Sequence, residues 1–410
     1  MIGVSIISKE EKKEEETKKH QHKQKIRDKF LRVDWFILLP YLILSITGVI
    51  MVYSASSYRL LQEGLPMWSS ASKQLIFFIL SLILIGVIYT MKIKVFRDSR
   101  LVNYFFYFVL VLLVYVLLFG QRINGAKGWI SLPGFQFQPL ELFKLALVIM
   151  MARYLTYRQF WTFARKWHFW FFTFFGLLLI RLQPDNGGVV ICALLILALL
   201  VCNGESPKIS GAATLLFYVV AVLGIFFLPY ILPMQEYQKA RFLVAQHPFD
   251  YARGEGHQLI NSYYALSNGG WFGTGLGNSI EKKGFLPEAQ TDFIFSITVE
   301  ELGMFFGLFI IGLLLLLVLR ILYIGIKAQS RFNSYLCIGI SMMIFIQMFI
   351  NLGGLVGIIP LTGVTLPFIS QGGSSLIVLS IGVGLALNVS ATERDYRLST
   401  KKRRRLKIFE

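Results

Sequence analysis

The sequence predicts an all-α polytopic membrane protein with ten transmembrane helices, both termini cytoplasmic, and one large extracytoplasmic loop between helices 7 and 8. Three observations predict it. Only 16% of the 410 residues are charged and 55% are hydrophobic, against about 25% charged in soluble chains. The apolar residues gather into runs approaching the roughly 20 residues needed to cross a bilayer core. Basic residues concentrate in the tails and alternate short loops, as the positive-inside rule expects of cytoplasmic segments.

The ten runs cover residues 34–56, 74–91, 102–120, 139–157, 168–183, 187–202, 210–230, 293–319, 332–357 and 366–390. The fifth and sixth are short. Residues 1–33 form a charged cytoplasmic tail without the apolar region of a cleavable signal peptide, so the first span is expected to act as its own insertion signal. Residues 34–392 form the membrane domain, with its large external loop at 231–291, and residues 393–410 form a basic cytoplasmic tail. The formal charge of +18 and the run Lys401-Lys402-Arg403-Arg404-Arg405 raise the question of nucleic acid. A basic tail beside a last span is better explained by anionic lipid headgroups, so no nucleic-acid partner is expected. Cys192, Cys202 and Cys337 lie in or beside apolar runs without metal or redox spacing, which points to packing.

Four polar stretches fall on the side predicted to be external. The first runs from Gln121 to Ile130 and on through Gln138-Pro139-Leu140-Glu141-Leu142-Phe143-Lys144. The second is Gln183-Pro184-Asp185-Asn186-Gly187-Gly188, and the third runs from Pro360 to Ser375. The fourth is the large loop, where five glycines in the ten residues from Asn268 to Gly277 favour tight backbone over helix. Read as a nucleotide-binding fingerprint, that run would be false, because no βαβ context surrounds it.

Asp292 enters the start of the eighth run directly after Lys282-Lys283-Gly284-Phe285-Leu286-Pro287-Glu288-Ala289-Gln290-Thr291. Ionisable groups at membrane depth are costly unless paired or facing water, so the position reads as a functional site. Desolvation balanced by a nearby cation can hold such an acid as a general base; Lys144, Arg241, Lys239 and Lys127 are the candidate cations. The competing reading is an acid favoured by a helix N-terminus. Glu288 shares a face with Asp292 only if that segment is helical. Lys144 follows Glu141 by three residues, which equally fits an intrahelical ion pair. Trp129 fits an interfacial aromatic belt or a platform for a sugar ring. Glu300-Glu301, two turns into the eighth run, is read as structural or coupling.

Taken in order, Asn124-Gly125-Ala126-Lys127-Gly128-Trp129-Ile130, Gln138 to Lys144, Gln183-Pro184-Asp185, Gly269 to Gly277, Leu286 to Phe295 with Glu300-Glu301-Leu302-Gly303, and Leu366 to Ser375 resemble the SEDS family (shape, elongation, division and sporulation) of FtsW and RodA proteins. The resemblance runs from about Asp34 to Asn388. It implies a ten-helix bacterial plasma-membrane glycosyltransferase that polymerises lipid II into peptidoglycan glycan strands outside the cytoplasm and releases undecaprenyl pyrophosphate. A class B penicillin-binding protein transpeptidase is the implied partner, alongside other division or elongation complex membrane proteins. Asp292 matches the family's essential aspartate, the implied base for the acceptor hydroxyl. Lys144, Arg241 and Lys127 are the candidates for phosphate contacts, and Trp129, Glu141, Glu288 and Ser370 complete the residues expected at the substrate. This sequence departs from the family's usual basic residue at Gly128, Thr at Gly188, His at Gln290 and Tyr at Gln371. Gly277 to Ile280, Leu286 to Ala289 and Thr365 to Pro367 look more like the division-type branch; the elongation-type branch is the alternative.

No cofactor is required by the sequence. Pyrophosphate chemistry often uses a divalent metal ion, but the sequence contains no ligand cluster for one. Two other function classes compete: a lipid II flippase, and a scaffold for the transpeptidase. Gathering of polar residues on one side favours the enzyme, and Glu300-Glu301 is the feature that favours a path through the membrane.

Overall fold

The computed structural model describes residues 32–123, 126–132, 135–203, 242–252, 254 and 256–406. The expected seventh span, Lys239, Arg241 and nearly all of the N-terminal tail lie outside the described residues. The elements run α1 (Trp35–Gln62), α2 (Ser69–Thr90), α3 (Ser99–Phe119), β1 (Gln121–Ile123), β2 (Ala126–Leu132), β3 (Phe135–Phe137), α4 (Pro139–Tyr157), α5 (Phe163–Leu182), α6 (Asn186–Val201), α7 (His257–Gly269), α8 (Ile294–Leu302), α9 (Met304–Lys327), α10 (Arg331–Leu355) and α11 (Gly373–Leu406).

Among the described residues, six helices are long and apolar enough to cross a membrane: α1, α2, α3, α9, α10 and the Gly373–Ser399 part of α11. The protein is therefore a multi-pass helical membrane protein. Of the other four expected spans, the seventh lies outside the described residues and three have local causes: α4 carries Glu141, Lys144 and Arg153, α5 carries Arg165, Lys166 and Arg181, and α6 has only 16 residues. Charges on α4 are tolerated because that helix is buried around nearly its whole circumference, as is α10, which packs on it. Helices buried all round form the centre of a bundle. At the periphery, Leu75, Ile76, Ile79 and Ile83 of α2 and Leu308, Leu316 and Leu319 of α9 are exposed, an apolar exterior suited to lipid.

Four features differ from the sequence expectation. The strands β1, β2 and β3 form a small antiparallel sheet in that order, so the chain is not purely helical. The eighth run is broken at Gly303 into α8 and α9. Asp292 lies in a series of turns before α8, so neither it nor Glu288 stands on a helix. Residues 366–372 stay outside the last helix, which instead continues to Leu406.

The break at Gly303 leaves helix-end carbonyls and amides without intrahelical partners, and such groups are costly at membrane depth. The glycine run satisfies them. Thr274 N and Gly275 N donate to Glu300 O and Glu301 O at 2.9 Å each, while Met304 N and Phe305 N donate to Gly270 O and Trp271 O at 2.9 and 3.3 Å. Gly303 has φ +86°, and a Cβ there would meet Trp271 O at 2.3 Å. A Cβ on Gly273, φ +81°, would meet Glu301 O at the same 2.3 Å. Two backbones therefore pass too closely for any residue but glycine.

At the opposite end of the bundle from that break, buried Asp34 gathers three elements. Arg320 of α9 donates from Nη2 at 2.8 Å, Arg394 of α11 at 3.3 Å and Ser390 of α11 at 2.9 Å.

Candidate active site

The separate polar stretches converge on one end of the bundle, around the turns that carry Asp292. Asn351, near the end of α10, donates from Nδ2 to Asp292 O at 3.0 Å and to Val364 O at 2.8 Å. It thereby ties the turn before α8 to the loop before α11. Buried Ser370 makes the second tie: its hydroxyl donates to Thr291 O at 2.6 Å and accepts from Leu366 N at 2.8 Å. Gln371 N donates to Gln290 O at 2.9 Å as a third. Asp292 Oδ2 faces Gly363, where an added Cβ would lie 3.7 Å from it. The carboxylate is half-buried at this junction.

The head of α4 joins the same end. Gln138 N donates to Ser374 Oγ at 3.0 Å, Ser374 Oγ donates to Gln136 O at 3.2 Å, and Gln138 Nε2 donates to Asp185 Oδ2 at 3.4 Å. Asp185 also caps α6, accepting from Gly188 N at 2.7 Å. A side-chain acceptor at this position satisfies one of the free amides of a helix start. Gly187 packs on Thr362, an added Cβ lying 3.1 Å from Thr362 Cβ, so the 183–188 turn touches the loop that Asp292 faces.

One turn into α4, Lys144 Nζ donates to Glu141 Oε1 at 2.7 Å, with both side chains buried. The i,i+3 pair forms as their spacing allowed. Lys127 on β2 donates from Nζ to Leu118 O at 2.9 Å and from its backbone N to Gln183 O at 3.1 Å. A cation on the last carbonyls of α3 complements the negative end of that helix. Trp129 is half-buried on β2, paired with Gln121 in the sheet. Glu288 Oε2 accepts from Thr291 Oγ1 at 2.7 Å, so this carboxylate stiffens the turn leading to Asp292. Arg241 lies outside the described residues.

Glu300 and Glu301 are both engaged. Glu301 Oε1 pairs with Lys282 Nζ at 2.6 Å and both its oxygens accept from Ser54 Oγ at 2.7 Å. Glu300 accepts from Ile280 N at 2.9 Å and from Ser279 Oγ. These carboxylates fasten the loop after the glycine run to α8 and α1 at the same end as Asp292, which accounts for them without a membrane-crossing path. Glu281 beside them is buried, with Oε2 lacking a protein partner; burial first, and the charge of Glu300 second, push its carboxyl up to about 6.

Asn351 and Ser54 are the positioning residues that motif reading missed. Both are polar groups inside apolar helices, and that oddity alone is the signal that flags them. Among the described residues, no three His, Cys, Asp or Glu side chains group to hold a metal ion.

The family described as cell cycle protein, covering FtsW, RodA and SpoVE, matches residues 34–395. The chain belongs to this family. A relative in Lactococcus lactis, described as a probable peptidoglycan glycosyltransferase FtsW, is 39% identical over 401 residues, spanning 90% of this chain and 94% of the relative. The protein of the same description in Enterococcus hirae is 37% identical, spanning 92% and 96%. Among solved structures of the FtsW/RodA/SpoVE fold, a chain of a peptidoglycan synthase complex, described for structural coordination of polymerization and crosslinking, matches at TM-score 0.69 and 26% identity over 88% of this chain and 98% of that one. The crystal structure of Thermus thermophilus RodA matches at TM-score 0.63 and 25% identity over 88% and 97%.

Proposed function

We propose that this member of the FtsW/RodA/SpoVE family is a peptidoglycan glycosyltransferase of the division type, polymerising lipid II into glycan strands and releasing undecaprenyl pyrophosphate. The observation that carries the reading is the convergence at Asp292: its turn is held by Asn351, Ser370 and Gln371, and its carboxylate faces the Gly363 loop. The division-type description of the relatives supports the branch. In this reading Asp292 removes the proton from the acceptor sugar hydroxyl as its oxygen attacks the anomeric carbon of the donor. The bond to the pyrophosphate breaks, and its charge is taken up by cations.

Lys144, Arg241 and Lys127 are the proposed phosphate contacts. Lys144 reaches a phosphate by exchanging Glu141 for it, a swap between two charge-assisted partners. Lys127 serves by leaving the Leu118 carbonyl. Trp129 offers a sugar-stacking face, while Glu141, Glu288 and Ser370 position their neighbours at the substrate. The proposed topology has ten spans with both termini inside, tails at 1–33 and 393–410, and the 231–291 loop and active site outside. Concentration of basic residues in the tails and alternate loops supports that orientation. A class B penicillin-binding protein is the proposed partner, supported by the match to a polymerization and crosslinking complex.

The test is lipid II polymerisation by the purified protein with its partner transpeptidase. Asp292→Asn is expected to lower the rate by about 10²–10⁴-fold, the usual contribution of a general base, with an unchanged melting temperature. Polymerisation by Asp292→Ala at the wild-type rate would sink the reading. Protein-dependent lipid II translocation without polymer would favour the flippase instead.

A further inference from the structure

We infer that Gln74 and Phe368 are positioning residues for Asp292: together they fix the 366–371 turn against α1 and α2, and that turn sets the place of the peptides leading into Asp292. The inference rests on the proposed role of Asp292 as the base. Among the described residues, Phe368 and Pro184 are the two that are not glycine and have positive φ, at +65° and +29°. A bulky residue at positive φ is strained, and it persists only where its surroundings over-determine it.

Those surroundings are α1 and the turn itself. The buried Phe368 ring stands edge-on to Tyr41 of α1, with centroids 5.2 Å apart and planes at 87°. Tyr41 is held in turn by a 2.9 Å hydrogen bond to Ser380 of α11. The main chain of the turn lies against Gly48 of α1, where an added Cβ would meet Phe368 O at 2.5 Å and Ile369 Cα and O at 2.9 Å. Within the turn, Pro367 has its φ fixed by its ring, and Ile369 N and Ser370 N donate to Leu366 O at 3.3 and 3.2 Å. The turn therefore has no slack toward α1.

α2 holds it from the other side. Buried Gln74 donates from Nε2 to Ser370 O at 3.2 Å, and an added Cβ on Gly373 would lie 2.6 Å from Phe77 Cε2. The same turn then grips the approach to Asp292 twice, through Ser370 Oγ on Thr291 O and Gln371 N on Gln290 O. Ser370 is thus fixed to α2 by its carbonyl while its hydroxyl fixes the residue before Asp292. A buried amide that satisfies a loop carbonyl is common and by itself signals only stability. Two features separate Gln74 from that case: the strained Phe368 two residues from its acceptor, and the direct bonds from the turn to residues 290 and 291. A general base must lie within hydrogen-bond reach of the proton it takes, so a turn that gives way moves Asp292 off its acceptor.

The experiment measures lipid II polymerisation and backbone hydrogen exchange on the full chain with its partner transpeptidase. Gln74→Met keeps the length of the side chain and removes the donor. It is expected to lower kcat by about 10–10²-fold, the scale of loss that a 1 Å misplacement brings, with KM for lipid II unchanged. Amides of residues 288–293 are expected to exchange faster, and those in the middle of α10 at the wild-type rate. Gly48→Ala, which presses on Phe368 O from α1, is expected to give the same pattern. Should Gln74→Met not fold, Gln74→Asn, whose amide stops one carbon short of Ser370 O, takes its place with the same readouts. A folded variant with the wild-type kcat, or one whose kcat falls while exchange at 288–293 stays unchanged, overturns the inference. Absence of polymer from the wild-type protein would instead count against the glycosyltransferase reading, and exchange at 288–293 in the variants would still decide whether Gln74 holds the turn.

Discussion

Glu141 and Lys144 sit three residues apart on α4, and their 2.7 Å pair is sealed from solvent. Breaking a buried pair by removing one partner leaves an uncompensated charge and costs roughly 3–5 kcal/mol, while replacing both by apolar groups is often neutral. Lys144→Met is therefore expected to lower the melting temperature strongly, and Glu141→Leu/Lys144→Met to restore it. Polymerisation measured on the restored double variant separates packing from phosphate binding, and it is expected to stay low. Glu281 makes a different prediction. Its carboxyl is pushed up from an ordinary 4.5 to about 6 by burial and by Glu300. The folded protein then holds that proton more tightly than the unfolded chain, so this contribution to stability is complete below pH 4.5 and lost as pH rises through 6. Glu281→Gln is expected to melt higher than wild type at pH 7.5, with the difference vanishing near pH 4.5.

Between α8 and α9, the break at Gly303 is a tertiary event written in two places in the chain. Hydropathy shows one continuous apolar run at 293–319, and periodicity averaged over that run has no term for a helix that stops and restarts. The partners that satisfy its freed backbone groups lie some thirty residues earlier, in the glycine run. Adding a Cβ at Gly303 forces a left-handed φ on a side-chain-bearing residue, at about 1–2 kcal/mol, and drives it into Trp271 O at 2.3 Å. Gly303→Ala is expected to lower the melting temperature and to speed proteolysis of the 270–285 loop. Unchanged proteolysis would show that the glycine run holds its place without this contact.

Across the whole molecule, the Asp34 cluster and the proposed site at Asp292 sit at opposite ends. Asp34 joins the start of α1 to α9 and α11 through Arg320, Arg394 and Ser390. Removing a fully buried acid that holds two guanidinium groups costs roughly 3–5 kcal/mol. Asp34→Ala is expected to lower the melting temperature markedly, while the specific activity of the surviving folded fraction matches wild type. Asp292→Asn is expected to do the reverse. Reciprocal behaviour of the two variants in the same preparation checks the separation of the two ends.

The sequence by itself determined the membrane class of this protein, the approximate extents of α1 to α6 and α10, and the polar stretches from which the site is assembled. It could do so because burial in lipid demands long apolar runs, and polar residues that interrupt them are too costly to be accidental. The tertiary structure decided how those stretches meet. Ser370 and Glu288 turned out to brace the turns around Asp292, Lys127 to reach the end of α3, and Asn351, a buried amide near the end of α10, to tie Asp292 to the loop it faces. It also placed the β1-β2-β3 sheet and the broken eighth run. These features depend on hydrogen bonds between residues far apart in the chain, and local composition carries no record of which distant group completes each bond.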